Sequence, residues 1–208
     1  TDNKRSGIPR DLFRSDLSLE TLCEALLKTP AIFHQRNTDY QYANNKNFFE
    51  IHQDDFDSDE DLFQAVDLHI NQIFTETRVK NYLEFRTTDT QSPRFQMSVP
   101  AFFKGIFNDM TALNETANLL DEFSTESILT LHKNISRQAL QTPLNNYKVL
   151  DIVKSLLDIS SRGLDRQAKS QNLKRSEQIF LHPIMEIVFD PASASIAYVI
   201  NLSPFVRL

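Results

Sequence analysis

Five polar residues of types that bind phosphates or metals alternate along one short segment of the chain. They are Arg78, Lys80, Tyr82, Glu84 and Arg86. On an extended strand, alternate side chains project from the same face, so one surface would carry three cations and a carboxylate. A glutamate two residues from an arginine suits a metal–nucleotide site, because Mg²⁺ takes oxygen ligands and a guanidinium holds phosphate oxygens bidentately.

The same charges have a second explanation, which is a half-exposed strand whose ionic groups pair with one another. The apolar residues of the segment, Val79, Leu83 and Phe85, have the opposite parity and can be buried against helices. The charged face is then free to form the floor of a pocket, which favours a site. The alternation predicts one continuous strand from Val79 to Thr87.

Glycine is scarce, and this limits how the chain can hold a nucleotide. Only Gly7, Gly105 and Gly163 occur, whereas average usage of about 7% would give roughly 15. Glycine-rich phosphate loops and dinucleotide-binding turns need several glycines close together, so both are excluded. If the protein handles ATP, side chains and metal ions must hold the phosphates.

Other reactive residue types offer weaker patterns. Cys23 lies in the amphipathic run from Leu19 to Leu27, which predicts a small core residue rather than a nucleophile. The histidines have no i, i+4 spacing and no neighbouring cysteine pairs, so we interpret them as scattered structural or surface residues. They are His34, His52, His69, His132 and His182.

Composition restricts the partners and the location. The net charge is −6, with 28 acidic and 22 basic residues, so binding to nucleic acid or anionic lipid is disfavoured. No apolar stretch approaches the roughly 20 residues that span a bilayer, and the chain starts without a charged-then-apolar leader. We therefore expect a cytoplasmic protein without a membrane partner. Because the first residue is Thr1, we also expect the chain to derive from something longer.

The elements around the charged segment follow from caps and apolar spacing. Asp16 or Ser18 is predicted to cap a helix that runs to Lys28, and residues 31–36 and 40–42 are predicted to form a hairpin. The acidic run of residues 54–61 is interpreted as the start of a helix. The alternative, a metal loop, is weaker because the run lacks the glycine and terminal glutamate of a calcium loop.

Beyond the predicted strand the chain is mainly helical. Helices are expected near Val99 to Phe107, Met110 to Phe123, Glu126 to Arg137, Tyr147 to Leu164, Ser176 to Phe189 and Ala192 to Asn201. No repeat and no linker divides the chain. The sequence therefore predicts a single domain over residues 1–208, of the α+β class.

The charged segment and the region after it also resemble a known family. The residues that carry the likeness are Arg78-Val-Lys-Asn-Tyr-Leu-Glu-Phe-Arg86, Asp89, Val99-Pro-Ala-Phe-Phe-Lys-Gly105 and Asp109. Further matches follow in order at Asp2-x-x-Arg5-x-Gly7, Pro30 to Tyr40, Leu140-Gln-Thr-Pro143, Gly163-Leu-Asp-Arg166 and Leu181-His-Pro183. In this order they are similar to plant and proteobacterial glutamate–cysteine ligases of the glutamine-synthetase-like superfamily, over nearly the whole chain.

The resemblance implies a fold and an activity. The fold is glutamine-synthetase-like, with a few antiparallel strands and a predominantly helical C-terminal layer. The activity is ATP-dependent ligation: Mg-ATP phosphorylates the side-chain carboxylate of glutamate, and the amine of cysteine attacks the acyl phosphate, as in glutathione biosynthesis. The small-molecule partners are then glutamate, cysteine and ATP, with Mg²⁺ as the metal.

By the same resemblance, individual residues receive roles. Glu84 is expected to ligate Mg²⁺, Arg86 to act catalytically on the transferring phosphoryl group, and Lys80 to bind ATP together with Arg86. Arg5 and Tyr40 match positions near the glutamate substrate, where a cation and a phenol hold an α-carboxylate. An ordinary surface arginine and a tyrosine that packs across its hairpin are the alternatives for these two residues.

Two departures from the family pattern leave other functions open. The family has a glycine-rich run after the strand, where this chain has Thr87-Thr-Asp-Thr-Gln-Ser-Pro93, so the amine acceptor could differ. The acidic metal-binding strands of the family lie N-terminal to the matched region, so these residues are expected to form an incomplete active site that is inactive alone and needs the missing N-terminal part of the same enzyme. The alternatives are a carboxylate–amine ligase for another amine and a non-catalytic helical interaction module.

Overall fold

The computed structural model describes residues 4–8, 13, 15–36, 38–53, 56–88 and 90–190. Its contacts divide the chain into two compact units, Thr1–Arg86 and Thr87–Leu208. Each unit is described by itself, and the single-domain interpretation stays a prediction. Among the described helices, none is long and apolar enough to cross a membrane.

The first unit combines short helices with two-stranded ribbons. Its helices are α1 (Leu19–Lys28), α2 (Phe48–Ile51) and α3 (Asp59–Asn71), and its strands are β1 (Ser6–Gly7), β2 (Phe33–Arg36), β3 (Asp39–Tyr42), β4 (Phe74–Thr75), β5 (Thr77–Val79) and β6 (Leu83–Phe85). The pair β1–β4 is parallel, whereas β2–β3 and β5–β6 are antiparallel. The predicted hairpin at residues 31–42 is thereby confirmed.

Side chains cap the helices of this unit, and α1 begins directly after Ser18, one of its two predicted caps. Ser18 caps α1: its hydroxyl accepts a hydrogen bond from the Thr21 backbone N–H. Ser58 does the same for α3 through the Asp61 N–H, and the first turn of α3 is acidic, which complements the helix dipole. The interpretation of the acidic run as a helix start is confirmed for its described residues.

The predicted continuous strand from Val79 to Thr87 is wrong. The chain turns between β5 and β6, where the Lys80 N–H donates to the Tyr82 carbonyl oxygen at 2.9 Å. Asn81 lies in this turn, a position that asparagine favours. Arg78 therefore faces Glu84 across an antiparallel pair, instead of lying six residues away along one strand. Alternation alone does not distinguish the two arrangements, because both strands of a hairpin keep the period of two.

The prediction that Cys23 is a core residue is also wrong. Leu22 and Leu26 are the buried residues of α1 and form a small apolar cluster with Ile73, while Cys23 is exposed. Consecutive helical residues differ by about 100° around the axis, so the neighbour of a buried Leu22 faces another direction.

The described part of the second unit is helical, with one small hairpin. It contains α4 (Ser98–Phe107), α5 (Met110–Leu120), α6 (Thr125–Gln138), β7 (Pro143–Leu144), β8 (Tyr147–Lys148), α7 (Val149–Ser170) and α8 (His182–Phe189), with 3₁₀ turns at Ala139–Gln141 and Glu177–Phe180. The α+β class with a predominantly helical C-terminal layer is confirmed. The helix predicted from Ser176 is a 3₁₀ turn followed by α8, and the one predicted over Ala192 to Asn201 lies outside the described residues.

Small residues allow α4 and α7 to cross closely. A Cβ added to Gly105 would lie 2.4 Å from the Ser160 carbonyl oxygen, and one added to Gly163 would lie 2.0 Å from the Gly105 carbonyl oxygen. The Ser160 hydroxyl donates to the Phe102 carbonyl oxygen across the same crossing at 2.9 Å. The crossing therefore depends on the absence of side chains at two of the three glycines.

Candidate functional site

Arg78 and Glu84 form the centre of the predicted site. The Nε and Nη2 atoms of Arg78 lie 2.8 Å and 2.6 Å from Glu84 Oε2. The remaining terminal nitrogen, Nη1, donates to the carbonyl oxygen of Asn71, the last residue of α3, at 3.1 Å. Arg78 is only 8% exposed. The guanidinium is thus fixed at both the carboxylate and the end of a helix.

Arg86 contacts the same carboxylate from the other side. Its Nη1 lies 3.1 Å from Glu84 Oε1, and its guanidinium carbon lies 5.6 Å from the centroid of the Phe74 ring. The Arg86 backbone N–H donates to the Glu76 carbonyl oxygen, which continues the β5–β6 pairing by one step. Arg78, Glu84 and Arg86 together are called the Glu84 cluster below.

The two arginines of the Glu84 cluster lower the pKa of its carboxylate. The hydrogen bond from Arg78 is the main reason why the pKa of Glu84 lies below its ordinary value; the charges of Arg78 and Arg86 act in the same direction and burial opposes them. Two guanidiniums and one carboxylate leave a surplus positive charge. Such a cluster attracts the oxygens of a phosphate or a carboxylate.

Lys80 lies in the turn between β5 and β6 and is directed to a different partner. Its Nζ atom is 3.3 Å from Asp67 Oδ1 on α3. The ion pair joins the turn to the helix that also receives Nη1 of Arg78. The predicted role of Lys80 in binding ATP stays a prediction.

Arg5 is a buried residue whose guanidinium binds the backbone. Its Nε donates to the Pro30 carbonyl oxygen at 2.7 Å, and Nη2 donates to that of Ala31 at 3.2 Å. The Arg5 carbonyl oxygen in turn accepts from the Phe74 N–H, next to the β1–β4 pairing. Arg5 is therefore not an ordinary surface arginine, and its proposed contact with glutamate stays a prediction.

Tyr40 lies on β3 and is 65% exposed. Its ring packs edge-on against Phe33 of the paired strand, with ring centroids 5.3 Å apart. The packing across the hairpin that the sequence offered as an alternative does occur, and the contact of Tyr40 with glutamate stays a prediction. Asp89, another residue of the family resemblance, lies outside the described residues.

The role of Glu84 as a Mg²⁺ ligand stays a prediction, because both of its carboxylate oxygens are paired with guanidiniums. Mg²⁺ is commonly held by one or two carboxylates together with waters and substrate phosphates. Among the described residues, no group of three or more His, Cys, Asp or Glu could hold a metal ion.

A cavity lined by histidines was not predicted. Three of the five histidines, interpreted from the sequence as scattered, converge on a cavity of about 380 Å³ in the first unit: His34, His52 and His69. The His52 ring packs against Phe48 and Phe56, with centroids 4.6 Å and 5.1 Å away. The three histidines come from β2, from the end of α2 and from α3. No local spacing in the sequence could therefore have indicated the cluster.

Burial lowers the pKa of two of these histidines, His52 and His69. It is the main cause of the lowered pKa of His52, to which the nearby His34 and His69 add. Burial also lowers the pKa of His69, while the carbonyl groups of Leu26 and Thr29 act in the opposite direction. His69 Nε2 is buried without a hydrogen-bond partner. Both rings therefore favour the neutral form.

Two residues of the resemblance serve the structure of the second unit. Asp109 caps α5 by accepting the Ala112 N–H at 2.7 Å, and the same carboxylate binds Nη2 of Arg166 on α7 at 2.8 Å. The bond from Arg166 is the main reason why the pKa of Asp109 lies below its usual range. The family-like positions in this unit thus connect the start of α5 to α7.

Comparison with known proteins gives a consistent picture. The family model for glutamate-cysteine ligase family 2 matches residues 1–195. The chain is 26% identical over 170 residues to the chloroplastic glutamate–cysteine ligase A of Oryza sativa subsp. indica, covering 80% of the chain and 35% of the relative. It is 24% identical over 191 residues to the chloroplastic glutamate–cysteine ligase of Nicotiana tabacum, covering 90% and 35%. The chain thus spans about a third of the length of these curated relatives.

Proposed function

The chain belongs to glutamate-cysteine ligase family 2, and from this premise we propose that it forms part of an ATP-dependent enzyme that joins the γ-carboxylate of glutamate to the amine of cysteine. The observation that carries the proposal is the family match over residues 1–195, within which the Glu84 cluster is assembled. The curated relatives bear the name of this activity.

The proposed chemistry proceeds in two balanced steps. A γ-carboxylate oxygen of glutamate attacks the terminal phosphorus of ATP, the bond to the ADP oxygen breaks, and an acyl phosphate forms. The amine of cysteine then attacks the acyl carbon, the C–N bond forms, phosphate leaves, and the amine proton passes to solvent. Such sites act by positioning and by neutralising charge, which is the contribution of Mg²⁺ when it is bound.

Within this scheme the residues of the first unit have distinct tasks. Glu84 is a metal ligand, Arg86 steadies the transferring phosphoryl group, and Lys80 adds a cation for ATP. Arg5 and Tyr40 hold the α-carboxylate of glutamate. The surplus positive charge of the Glu84 cluster supports the assignment of Arg86, because phosphoryl oxygens carry the charge that develops during transfer.

The remaining part of the site is proposed to come from polypeptide beyond these 208 residues. The chain spans about a third of its relatives' length, and among the described residues no group of three or more His, Cys, Asp or Glu could hold a metal ion. We therefore expect these residues to be inactive when alone. A cytoplasmic location stays a prediction.

The proposal is tested with the natural full-length form of the protein. Release of ADP is measured with Mg-ATP, glutamate and a panel of amine acceptors, and the expected result is turnover that prefers cysteine. Glu84→Gln removes the charge of the metal ligand and is expected to lower kcat about 100-fold or more, the size of effect typical for a lost electrostatic group. Arg86→Ala is expected to act in the same direction.

A matched control distinguishes the loss of a catalytic group from the general effect of losing an ion-paired carboxylate. Glu115 is a carboxylate that binds Arg162 in the second unit, so Glu115→Gln is expected to change kcat little. Turnover without preference for cysteine would reassign the amine acceptor. Absence of Mg-ATP-dependent turnover, with Glu84→Gln and Arg86→Ala unchanged in every property, would support a non-catalytic interaction module instead.

A further inference from the structure

Resting on the proposed role of Tyr40 in binding glutamate, we propose that Gln72 is a positioning residue for that substrate. Its side chain joins the end of α3 to the start of β2, and it thereby fixes where the β2–β3 hairpin presents Tyr40. Gln72 acts through the backbone that it binds, so its own side chain is assigned no contact with the substrate.

The Gln72 side chain makes hydrogen bonds in two directions. Its Oε1 atom accepts the backbone N–H groups of Ile32 and Phe33, each at 2.8 Å. Its Nε2 atom donates to the Leu68 carbonyl oxygen in α3 at 3.0 Å. The residue is only 4% exposed, and hydrogen bonds are stronger where water is excluded. One buried amide therefore connects two consecutive residues at the start of the hairpin to the helix.

A second buried side chain binds the two residues immediately before these. Arg5 donates to the carbonyl oxygens of Pro30 and Ala31. Together, Arg5 and Gln72 bind one backbone group from each of four consecutive residues, 30 to 33. Because buried backbone groups need partners, these two side chains define the path of the chain into the hairpin.

Phe33 connects the Gln72 amide to Tyr40. The Phe33 N–H donates to Gln72, and the Phe33 ring packs edge-on against the Tyr40 ring. Closely packed side chains transmit displacements to one another. A shift of the Phe33 backbone therefore moves the phenol that is proposed to hold the α-carboxylate of glutamate.

The residue before Gln72 leads to the other half of the proposed site. The Asn71 carbonyl oxygen accepts Nη1 of Arg78, whose Nε donates to Glu84. Two adjacent residues at the end of α3 thus hold the hairpin of Tyr40 on one side and the Glu84 cluster on the other. This arrangement fixes the distance between the proposed glutamate and phosphoryl positions, and such distances control the rates of group transfer.

The test removes the acceptor oxygen and keeps the length of the side chain. Gln72→Met leaves the N–H groups of Ile32 and Phe33 without their partner, while the flexible thioether fills the space. In the natural full-length form, we expect the KM for glutamate to rise about 10-fold, the effect of weakening one hydrogen bond to a charged ligand. The KM for ATP should change little. Gln72→Glu keeps an acceptor for both N–H groups and is expected to restore the KM for glutamate.

A merely structural role would give a different result. Loss of stability lowers the fraction of active enzyme, so kcat would fall while the KM for glutamate stays the same. A folded Gln72→Met variant with an unchanged KM for glutamate overturns the inference.

Gln167→Met is the matched control. Gln167 is a buried glutamine of the second unit whose Nε2 donates to the Lys104 carbonyl oxygen at 3.1 Å. This variant is expected to lower the unfolding midpoint without changing the KM for glutamate. An equal rise of that KM in Gln167→Met would show a general effect of losing a buried glutamine, and would overturn the inference.

A double-mutant cycle tests whether Gln72 acts through Tyr40. Tyr40→Phe removes the phenol hydroxyl and should raise the KM for glutamate by itself. In the Tyr40→Phe background, Gln72→Met is expected to add little, because the two changes interrupt the same contact. Independent effects that multiply would overturn the inference. If Tyr40→Phe leaves the KM unchanged, the proposed role of Tyr40 fails, and this inference fails with it.

A second measurement needs no variant and so does not depend on the folding of Gln72→Met. Amide hydrogen exchange of the wild-type full-length form is followed by mass spectrometry on peptides that contain Ile32 and Phe33. These amides exchange when their bonds to Gln72 open, and such opening displaces Tyr40 from bound glutamate. With glutamate at about 100 times its Kd, exchange should slow by up to about 100-fold. Exchange that glutamate leaves unchanged would overturn the inference.

Discussion

At the scale of single residues, Arg5 and Arg78 of the first unit bind oxygen atoms of the chain itself. Arg5 donates to the carbonyl oxygens of Pro30 and Ala31, and Arg78 donates to Glu84. Each of these guanidiniums fixes the position of a neighbouring segment before any ligand arrives. A variant of either arginine therefore has to be assayed for stability as well as for activity, because its loss also removes contacts of the fold.

Because His69 is buried, we expect the first unit to lose stability as the pH falls. Burial lowers its pKa in the folded state, so the unfolded chain binds more protons below the ordinary value of 6.5. The stability contribution of the neutral ring is present above that pH and is lost as the pH falls from 6.5 towards the folded pKa. The difference is measured on the 208-residue chain. Amide hydrogen exchange of residues in the first unit is recorded at increasing urea concentrations at pH 7.5 and 5.5.

His69→Gln is expected to reduce this pH dependence, because the amide does not titrate. His182, which is exposed on α8, provides the matched control, and His182→Gln should retain the wild-type dependence. Equal pH dependence of the His69→Gln variant and the wild-type protein would contradict the assignment. His52 contributes in the same direction as His69, since its pKa is also lowered.

At the scale of elements, the crossing of α4 and α7 depends on backbone-to-backbone contact. The nearest neighbour of the missing side chain at Gly163 is a backbone carbonyl oxygen, which cannot move away as a flexible side chain can. The helices therefore have to separate if a side chain is added. Two of the three glycines in the sequence therefore lie where the backbones of two helices are in contact.

Gly163→Ala is expected to lower the free energy of unfolding of the second unit by about 3 kcal/mol, at the upper end of overpacking effects. The sign is informative, because the same change in an uncrowded helix stabilises by up to about 1 kcal/mol. Urea unfolding followed by circular dichroism measures the effect.

Ser155→Ala, on the exposed side of the same helix, is the control for the Gly163→Ala measurement. It should stay within about 0.5 kcal/mol of the wild type. A stabilised Gly163→Ala variant would show that α4 and α7 do not approach as described.

At the scale of the whole chain, the two units have unequal apolar cores. In the second unit one buried cluster draws residues from α4, α6, α7 and α8. In the described part of the first unit the cluster consists of Leu22, Leu26 and Ile73, with Val79 packed against it. Since apolar burial is the dominant favourable term in folding, we expect the second unit to have the larger independent stability.

Separate expression of the units tests this difference. Residues 87–208 alone are expected to show a helical circular dichroism spectrum and a cooperative urea transition. Residues 1–86 alone are expected to unfold over a broad range without a cooperative transition, because the small cluster and two-stranded ribbons are marginal in water. A sharp transition of residues 1–86 in isolation would contradict this expectation, and the 208-residue chain is the reference.

The sequence by itself determined the features that depend on near neighbours along the chain. The cap of α1 was predicted at Asp16 or Ser18, because a cap binds a backbone N–H only three residues away, and the acidic run predicted the start of α3. The helical spacing of apolar residues and the collinear order of the family motifs were likewise visible without a structure. They predicted the α+β class and the family.

Only the tertiary structure decided the features that join distant residues. The β5–β6 hairpin, the cavity of His34, His52 and His69, and the bond between Asp109 and Arg166 all depend on which segments meet in space. Alternation and residue type are local properties, and they are the same whether a strand continues or turns back on itself. The sequence predicted one charged strand face. Because the chain forms a hairpin instead, the structure has the Glu84 cluster, in which a single carboxylate lies between two guanidiniums.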